Sequence, residues 1–387
     1  MAQDARGEVY DLLAARGVSR RDFLKYCGSV AALLGLSEMY APQIAAAVES
    51  GAKLKPVLWI AQGLCTGCTE SMAQSRTPDV PTVVLDILSV NYWETVMASA
   101  GSDALKAIKE TVDKGGYILV VEGSIMNGAN GNTLRVGGRP GRLDVKEAAE
   151  KADAIIAVGS CAVDGGWVKA APNPAGATGV GEYLKSEGMD VSKKLINLPT
   201  CPVNPEWVVA MIVDVLLVGK LPAMDSKNRP TLIYGSTIHD NCPRRGHFEN
   251  GEFVYQFGSV EEAKGYCLYP MGCKGPQTQT NCPIVRWNNQ TSWCVESGSP
   301  CIGCGRFNWV DEGAPFLNRF RQIGIGAGGQ TGGYSPGNAA LLAGGVVAGA
   351  LVVHGLGMKA AGRIGEGPAT EEMKDHDRKR MKKGGDK

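Results

Sequence analysis

Pro56-Val57-Leu58-Trp59-Ile60, followed closely by Cys65-Thr66-Gly67-Cys68, is the stretch that decides the fold. A short, wholly apolar run reads as a strand buried on both faces, and the glycine-bearing turn after it ends that strand. The pattern repeats at Val83-Val84-Leu85-Asp86-Ile87-Leu88, at Tyr117-Ile118-Leu119-Val120-Val121, at Ala154-Ile155-Ile156-Ala157-Val158 and at Leu195-Ile196-Asn197-Leu198. Helical patterns fall between these runs, at Asp103 to Lys114 and Lys146 to Lys151. A longer one runs from Pro205, well placed as a helix start, to Val218, where Gly219 stops it. Apolar strands alternating with helices predict an α/β fold, a doubly wound parallel sheet covered on both faces.

In such a sheet, ligands bind beyond the carboxyl ends of the strands. Cys65 and Cys68 follow the first strand, Cys161 follows 154–158, and Cys201 follows 195–198. Three strand ends thus deliver four thiols to one edge. Tetrahedral sulfur sets suit an iron–sulfur cluster or zinc. Gly63, Gly67, Gly159, Pro199 and Pro202 surround these cysteines and give tight turns beside a bulky group.

Beyond about Asp225 the alternation stops. Residues 235–325 hold seven cysteines, many glycines and prolines, and few periodic runs. Such a segment cannot build a regular core alone, and metal clusters would supply cross-links. Two more donor sets lie here. His239, Cys242, Cys267 and Cys273 combine His-x-x-Cys with Cys-x5-Cys; an imidazole in place of a thiolate tends to raise a cluster's reduction potential. Cys282, Cys294, Cys301 and Cys304 form the third set, with Trp287 and Trp293 placed to exclude water. Eleven cysteines plus His239 fill three four-coordinate sites with none left over; the twelfth cysteine, Cys27, lies in a leader. Gly324, Gly326 and Gly329 form a lone GxGxxG with no strand before it and no acid at the right distance after it, so a dinucleotide site is rejected.

The two ends carry targeting signals. Ser19-Arg20-Arg21-Asp22-Phe23-Leu24-Lys25, the apolar run Tyr26 to Leu36 and Ala45-Ala46-Ala47 read as a twin-arginine export signal. That route carries folded proteins and suits one whose clusters are inserted before export. Ala339 to Met358 has no acid, Lys or Arg, and at helical rise spans roughly 30 Å of hydrocarbon. Gly345 and Gly349 give it a GxxxG, which lets a partner helix approach closely. His354, late in this span, reads as a helix-packing side chain. The basic tail beyond, with Lys359, Arg363, Lys374, Arg378, Lys379, Arg380, Lys382 and Lys383, is cytoplasmic by the positive-inside rule, leaving the body exported. The resulting division is 1–47 signal peptide, 48–224 sheet domain, 225–321 cluster domain, 322–338 glycine-rich linker, 339–358 membrane helix and 359–387 tail. A net charge of +1 offers no field to draw in nucleic acid.

These residues resemble the small subunit of membrane-bound nickel–iron hydrogenases over nearly the whole chain. The match includes Arg-Arg-Asp-Phe-Leu-Lys at 20–25, Cys-Thr-Gly-Cys-Thr-Glu at 65–70, Gly-Ser-Cys at 159–161 and Cys-Pro at 201–202. It continues with Ile-His-Asp-Asn-Cys at 238–242, Gly-Cys-Lys-Gly-Pro at 272–276 and Pro-Cys-Ile-Gly-Cys at 300–304. The resemblance implies a flavodoxin-like first domain and three iron–sulfur clusters in a row. The first set would be the proximal 4Fe–4S site, the Cys282 set the medial site and the His239 set the distal 4Fe–4S site, nearest the electron exit. A partner large subunit would hold the nickel–iron centre and interconvert H2 with protons and electrons; both Cys-x-x-Cys pairs here are already used, which leaves no nickel site in this chain. A membrane cytochrome b, a quinone-linked subunit or a multihaem cytochrome would take the electrons, at the periplasmic face of the membrane.

Three departures from the family pattern carry expectations. The family commonly has a 3Fe–4S medial cluster and a proline where Cys294 stands; here Cys294 would complete a 4Fe–4S cluster, as in nickel–iron–selenium relatives. Oxygen-tolerant members carry two extra cysteines near the proximal cluster, at positions matching Gly67 and Gly166, so an ordinary cubane and oxygen sensitivity are expected. A glutamate often precedes the first proximal cysteine, where Leu64 stands, which puts proton routes through that position in doubt; Glu70 remains close by. Two other readings stay open: the cluster subunit of a quinone-reducing respiratory complex, and an exported zinc or disulfide scaffold with no redox role.

Overall fold

β1 (Pro56–Ala61) forms where the opening apolar run predicts it. The computed structural model describes residues 56–75, 89–218 and 221–318, together with isolated positions nearer each end. The export signal and the glycine-rich linker lie outside the described residues apart from a few of those positions. The expected strand at 83–88 lies outside them too. A strand is found directly after it, β2 (Ser89–Trp93), followed by β3 (Ile118–Glu122), β4 (Ala154–Val158) and β5 (Leu195–Leu198).

These five make one sheet in the order β2-β1-β3-β4-β5, with every neighbouring pair parallel. That is the flavodoxin-like order, whose switch point lies between β1 and β3. Every residue of β3, β4 and β5 is buried, which is why these strands read as continuous apolar runs. On the edge strand β2, Ser89 and Asn91 remain in contact with water and only Tyr92 and Trp93 are buried.

Alternate residues along the strands feed two cores. On one face Leu58, Ile60, Leu119, Val121, Ile155 and Ala157 meet the helices that connect the strands. Those are α2 (Gly101–Lys114), α3 (Gly141–Lys151) and α5 (Val180–Ser186), the last two contributing Val145, Ala148, Tyr183 and Leu184. On the other face Trp59, Val120, Ile156 and Leu198 meet α6 (Pro205–Val218), which has the expected bounds. Asn204 starts α6 by accepting the Glu206 N–H at 3.1 Å through its side chain.

This second core runs on into the cysteine-rich segment through Ile233, Tyr234, Val254, Leu268, Trp293 and Val295. Residues 225–318 hold only short helical turns, so their apolar side chains find shelter against the sheet face rather than in a layer of their own. Asn204 reinforces the junction by donating to the Arg286 carbonyl at 2.6 Å. No helix among the described residues is long and apolar enough to cross a membrane, and the 339–358 span lies almost wholly outside them.

Candidate functional site

The first cysteine group assembles at the carboxyl edge of the sheet. After β1 the chain turns through Thr66, whose φ of 65° is left-handed, into the short helix α1 (Gly67–Ala73). Cys65 is exposed ahead of this helix and Cys68 lies in its first turn. Glu122, the last residue of β3, holds the turn in place. One carboxylate oxygen accepts the N–H groups of Cys68 and Thr69, each at 3.1 Å. The other accepts Thr69 Oγ1 at 2.5 Å and Trp59 Nε1 at 3.0 Å.

Cys161 is carried by α4 (Gly159–Asp164), directly after β4, and Cys201 follows β5. Gly159 has a φ of +78°, and a Cβ there would stand 2.5 Å from Cys68 Sγ, so only glycine leaves room for that thiol. Neighbouring cysteines disfavour the ionisation of Cys68, Cys161 and Cys201. Burial first, then the Glu122 carboxylate, then Cys161 and Cys201, push the Cys68 thiol up. Burial, then Cys161, Cys304 and Cys65, push Cys201 up to about 12. Removing a thiolate from water without a counter-charge is costly, so these side chains gain by binding a cation-rich group.

In the second group, His239 and Cys242 flank a 3-10 turn (His239–Asn241), with Cys242 N–H donating to the His239 carbonyl at 3.3 Å. Cys267 is laced to the neighbouring chain by Cys267 N–H to the Glu252 carbonyl and Val254 N–H to the Cys267 carbonyl, both at 3.0 Å. His239, Cys242, Cys267 and Cys273 all line one pocket of about 350 Å³, mouth included. Phe248 lies edge-on to the His239 ring at 4.6 Å and packs on Tyr269 and Phe253. Burial and the Arg245 guanidinium hold the imidazole pKa down, which keeps it neutral and fit to donate a lone pair.

In the third group, Cys282 and Cys301 are buried, Cys304 is half-buried and Cys294 is exposed. Burial, then Cys304, push Cys282 up to about 12, with Cys294 adding to the same effect. Trp293 is buried and Trp287 packs against the same core, as expected of side chains that exclude water here.

The third group neighbours both of the others. Cys304 lies beside Cys201: its charge adds to the rise of the Cys201 thiol, and Ser160 Oγ donates to the Cys304 carbonyl at 2.9 Å. At the far side of the third group, Cys301 lies beside Cys273, and Lys274 N–H donates to the Cys301 carbonyl at 2.8 Å. The order is therefore first, third, second. All eleven described cysteines are free thiols. Among the described residues no three His, Cys, Asp or Glu side chains converge on a point that would hold a single metal ion.

Glu122 and Lys274 escape the sequence reading. The signal for Glu122 is an acid ending an otherwise apolar strand. The signal for Lys274 is a lysine between Cys273 and Gly275-Pro276, in a segment too irregular to reveal burial.

Two family models match the chain. The family described as NADH ubiquinone oxidoreductase, 20 Kd subunit, matches residues 65–215. The family of the C-terminal part of the NiFe/NiFeSe hydrogenase small subunit matches residues 234–317. The periplasmic [NiFe] hydrogenase small subunit of Solidesulfovibrio fructosivorans is 44% identical over 316 residues, covering 81% of this chain and 97% of the relative. The quinone-reactive Ni/Fe-hydrogenase small chain of Wolinella succinogenes is 40% identical, covering 79% of this chain and 85% of the relative. Among solved structures, a reduced, active form of the Ni-Fe-Se hydrogenase from Desulfomicrobium baculatum superimposes with a TM-score of 0.63 at 33% identity, covering 69% of this chain and 99% of that one.

Proposed function

The chain belongs to the small-subunit family of nickel–iron hydrogenases, and on that footing we propose that its twelve cysteine and histidine donors hold three iron–sulfur clusters. It is the electron-transfer partner of the large subunit, where the active site resides. The 65–215 stretch alone would also suit a respiratory-complex subunit; residues 234–317 favour the hydrogenase.

Cys65, Cys68, Cys161 and Cys201 hold the proximal 4Fe–4S cluster. Cys282, Cys294, Cys301 and Cys304 hold the medial one, as 4Fe–4S. His239, Cys242, Cys267 and Cys273 hold the distal 4Fe–4S cluster. Three features of the chain support the fit: four sulfur donors at converging strand ends, a glycine where a Cβ would strike Cys68 Sγ, and a pocket lined by all four second-group donors. When bound, the clusters pass single electrons between the nickel–iron centre and an external carrier. The carrying observation is that the third group borders both others: Ser160, beside Cys161, donates to the Cys304 carbonyl at 2.9 Å, and Lys274, beside Cys273, donates to the Cys301 carbonyl at 2.8 Å.

The chain's own residues do the rest. Glu122 fixes the turn that presents Cys65 and Cys68. Exposed Cys65 and Trp167 turn the first group towards the large subunit. Trp287 and Trp293 keep water from the third group. Export by the twin-arginine route and anchorage by residues 339–358 complete the reading, with a membrane cytochrome b, a quinone-linked subunit or a multihaem cytochrome as acceptor. Helical Leu351, Val353 and Leu356 are exposed, as an apolar anchor requires.

Anaerobic co-purification with the large subunit tests this reading. Brown protein with three cluster signals and H2-dependent dye reduction is expected. Colourless, zinc-only protein would overturn it.

A further inference from the structure

A buried lysine stands where the second and third groups meet. Lys274 is 1% exposed and directly follows Cys273. Its backbone N–H donates to the Cys301 carbonyl at 2.8 Å, so its main chain is tied to a donor of each group. Its ammonium donates to three carbonyl oxygens: Gly272 at 3.1 Å, Phe316 at 2.6 Å and Asn318 at 3.1 Å. An ammonium has three donors and no acceptor, and a neutral amine would turn a lone pair on one of those carbonyls. Three carbonyl acceptors around Nζ therefore favour the charged form.

We propose that Lys274 is a positioning residue whose fixed positive charge raises the reduction potentials of the centres in the second and third groups relative to the first. The inference rests on the donor assignment above. An added electron makes a cluster more negative, so a cation nearby favours its reduced form. In the low-dielectric interior that influence is screened far less than at the surface. The first group has the opposite neighbour: the Glu122 carboxylate accepts the Cys68 N–H, and negative charge there opposes reduction. Arg244 places a second positive charge at the second group, where its guanidinium donates to the carbonyl of Tyr266, the residue before Cys267, at 2.9 Å. The first group thus has an acid beside it and the second and third have bases, a difference that favours electrons leaving the first group.

The test is a potentiometric titration of the intact heterodimer with the large subunit, read by EPR, for the native protein, Lys274→Met and Lys274→Gln. Met keeps the stem and removes charge and donors; Gln keeps donors and removes charge. The second- and third-group midpoints are expected to move to more negative potential in at least one variant that retains its clusters, with the first-group midpoint unmoved. Unmoved midpoints with all three signals present would overturn the proposal, as would an equal shift at all three centres. Loss of the second- and third-group signals in both variants would overturn it too, by making Lys274 a folding element alone. Failure of the donor assignment looks different: the native heterodimer itself would lack three cluster signals.

Discussion

Glu122 accepts the backbone N–H of Cys68 at 3.1 Å, so the end of one strand fixes a thiol that follows another. The same carboxylate is 2% exposed and also holds Thr69 and Trp59. An amide in its place would turn an NH2 group towards donors it cannot accept. Glu122→Gln is expected to destabilise the protein by about 2–3 kcal/mol, the range for hydrogen bonds to a buried charged group. Apparent Tm of the heterodimer should fall and the first-group EPR signal weaken. Trp59→Phe removes one donor and also leaves a cavity beside Trp93, so it should cost about 1–3 kcal/mol. Equal Tm values for native and Glu122→Gln protein would show that the carboxylate does not hold the turn.

Cys294 is the exposed member of its group, beside Cys282 and Cys304. On the proposal that all four thiolates bind, the third-group centre would be a 4Fe–4S cluster, and native oxidised protein should show no strong 3Fe–4S EPR signal. Cys294→Ala should bring that signal out and raise the midpoint, since one negative ligand is gone. Identical spectra before and after the substitution would remove Cys294 from the donor set.

His239 faces Phe248 and shares its pocket with Cys242, Cys267 and Cys273. His239→Cys exchanges a neutral donor for an anionic one, so the second-group midpoint should fall. Dye reduction should slow, while the large subunit keeps exchanging H2 with D2 at the native rate. A parallel loss of both activities would place the defect elsewhere.

The sheet was legible because parallel strands buried on both faces leave uninterrupted apolar runs. β1, β4, β5 and α6 fall where Pro56–Ile60, Ala154–Val158, Leu195–Leu198 and Pro205–Val218 point. β2 was not legible: an edge strand with polar Ser89 and Asn91 has no such run. α3 begins at Gly141, ahead of the expected Lys146: the helix follows directly on Pro140, the last residue of a short strand, and buries Gly141 and Val145. The cysteines of the first group announce their meeting through strand-end position. Those of the irregular segment give spacing but not order. That Cys304 meets Cys201 and Cys301 meets Cys273 depends on how 225–318 folds over the sheet face.

Gly67 and Gly166 bear on oxygen. A Cβ at Gly67 would lie 3.1 Å from Cys65 Sγ, and one at Gly166 would lie 3.0 Å from Cys161 Sγ. Both glycines therefore border the first group, and neither supplies a thiol. On the proposal that four thiolates and no more bind there, the first-group centre would be an ordinary cubane, and H2 oxidation by the native heterodimer should stop in air. Steady turnover in air-saturated buffer would contradict this. The two positions should respond differently to cysteine. Gly166 has a φ of +45°, and its Cβ would stand 2.8 Å from the Cys161 backbone nitrogen, so Gly166→Cys carries strain of about 1–3 kcal/mol. At Gly67 φ is not positive and no backbone atom crowds the added Cβ; the one tight contact is Cys65 Sγ at 3.1 Å. Gly67→Cys should leave the apparent Tm close to native, whereas Gly166→Cys should lower it.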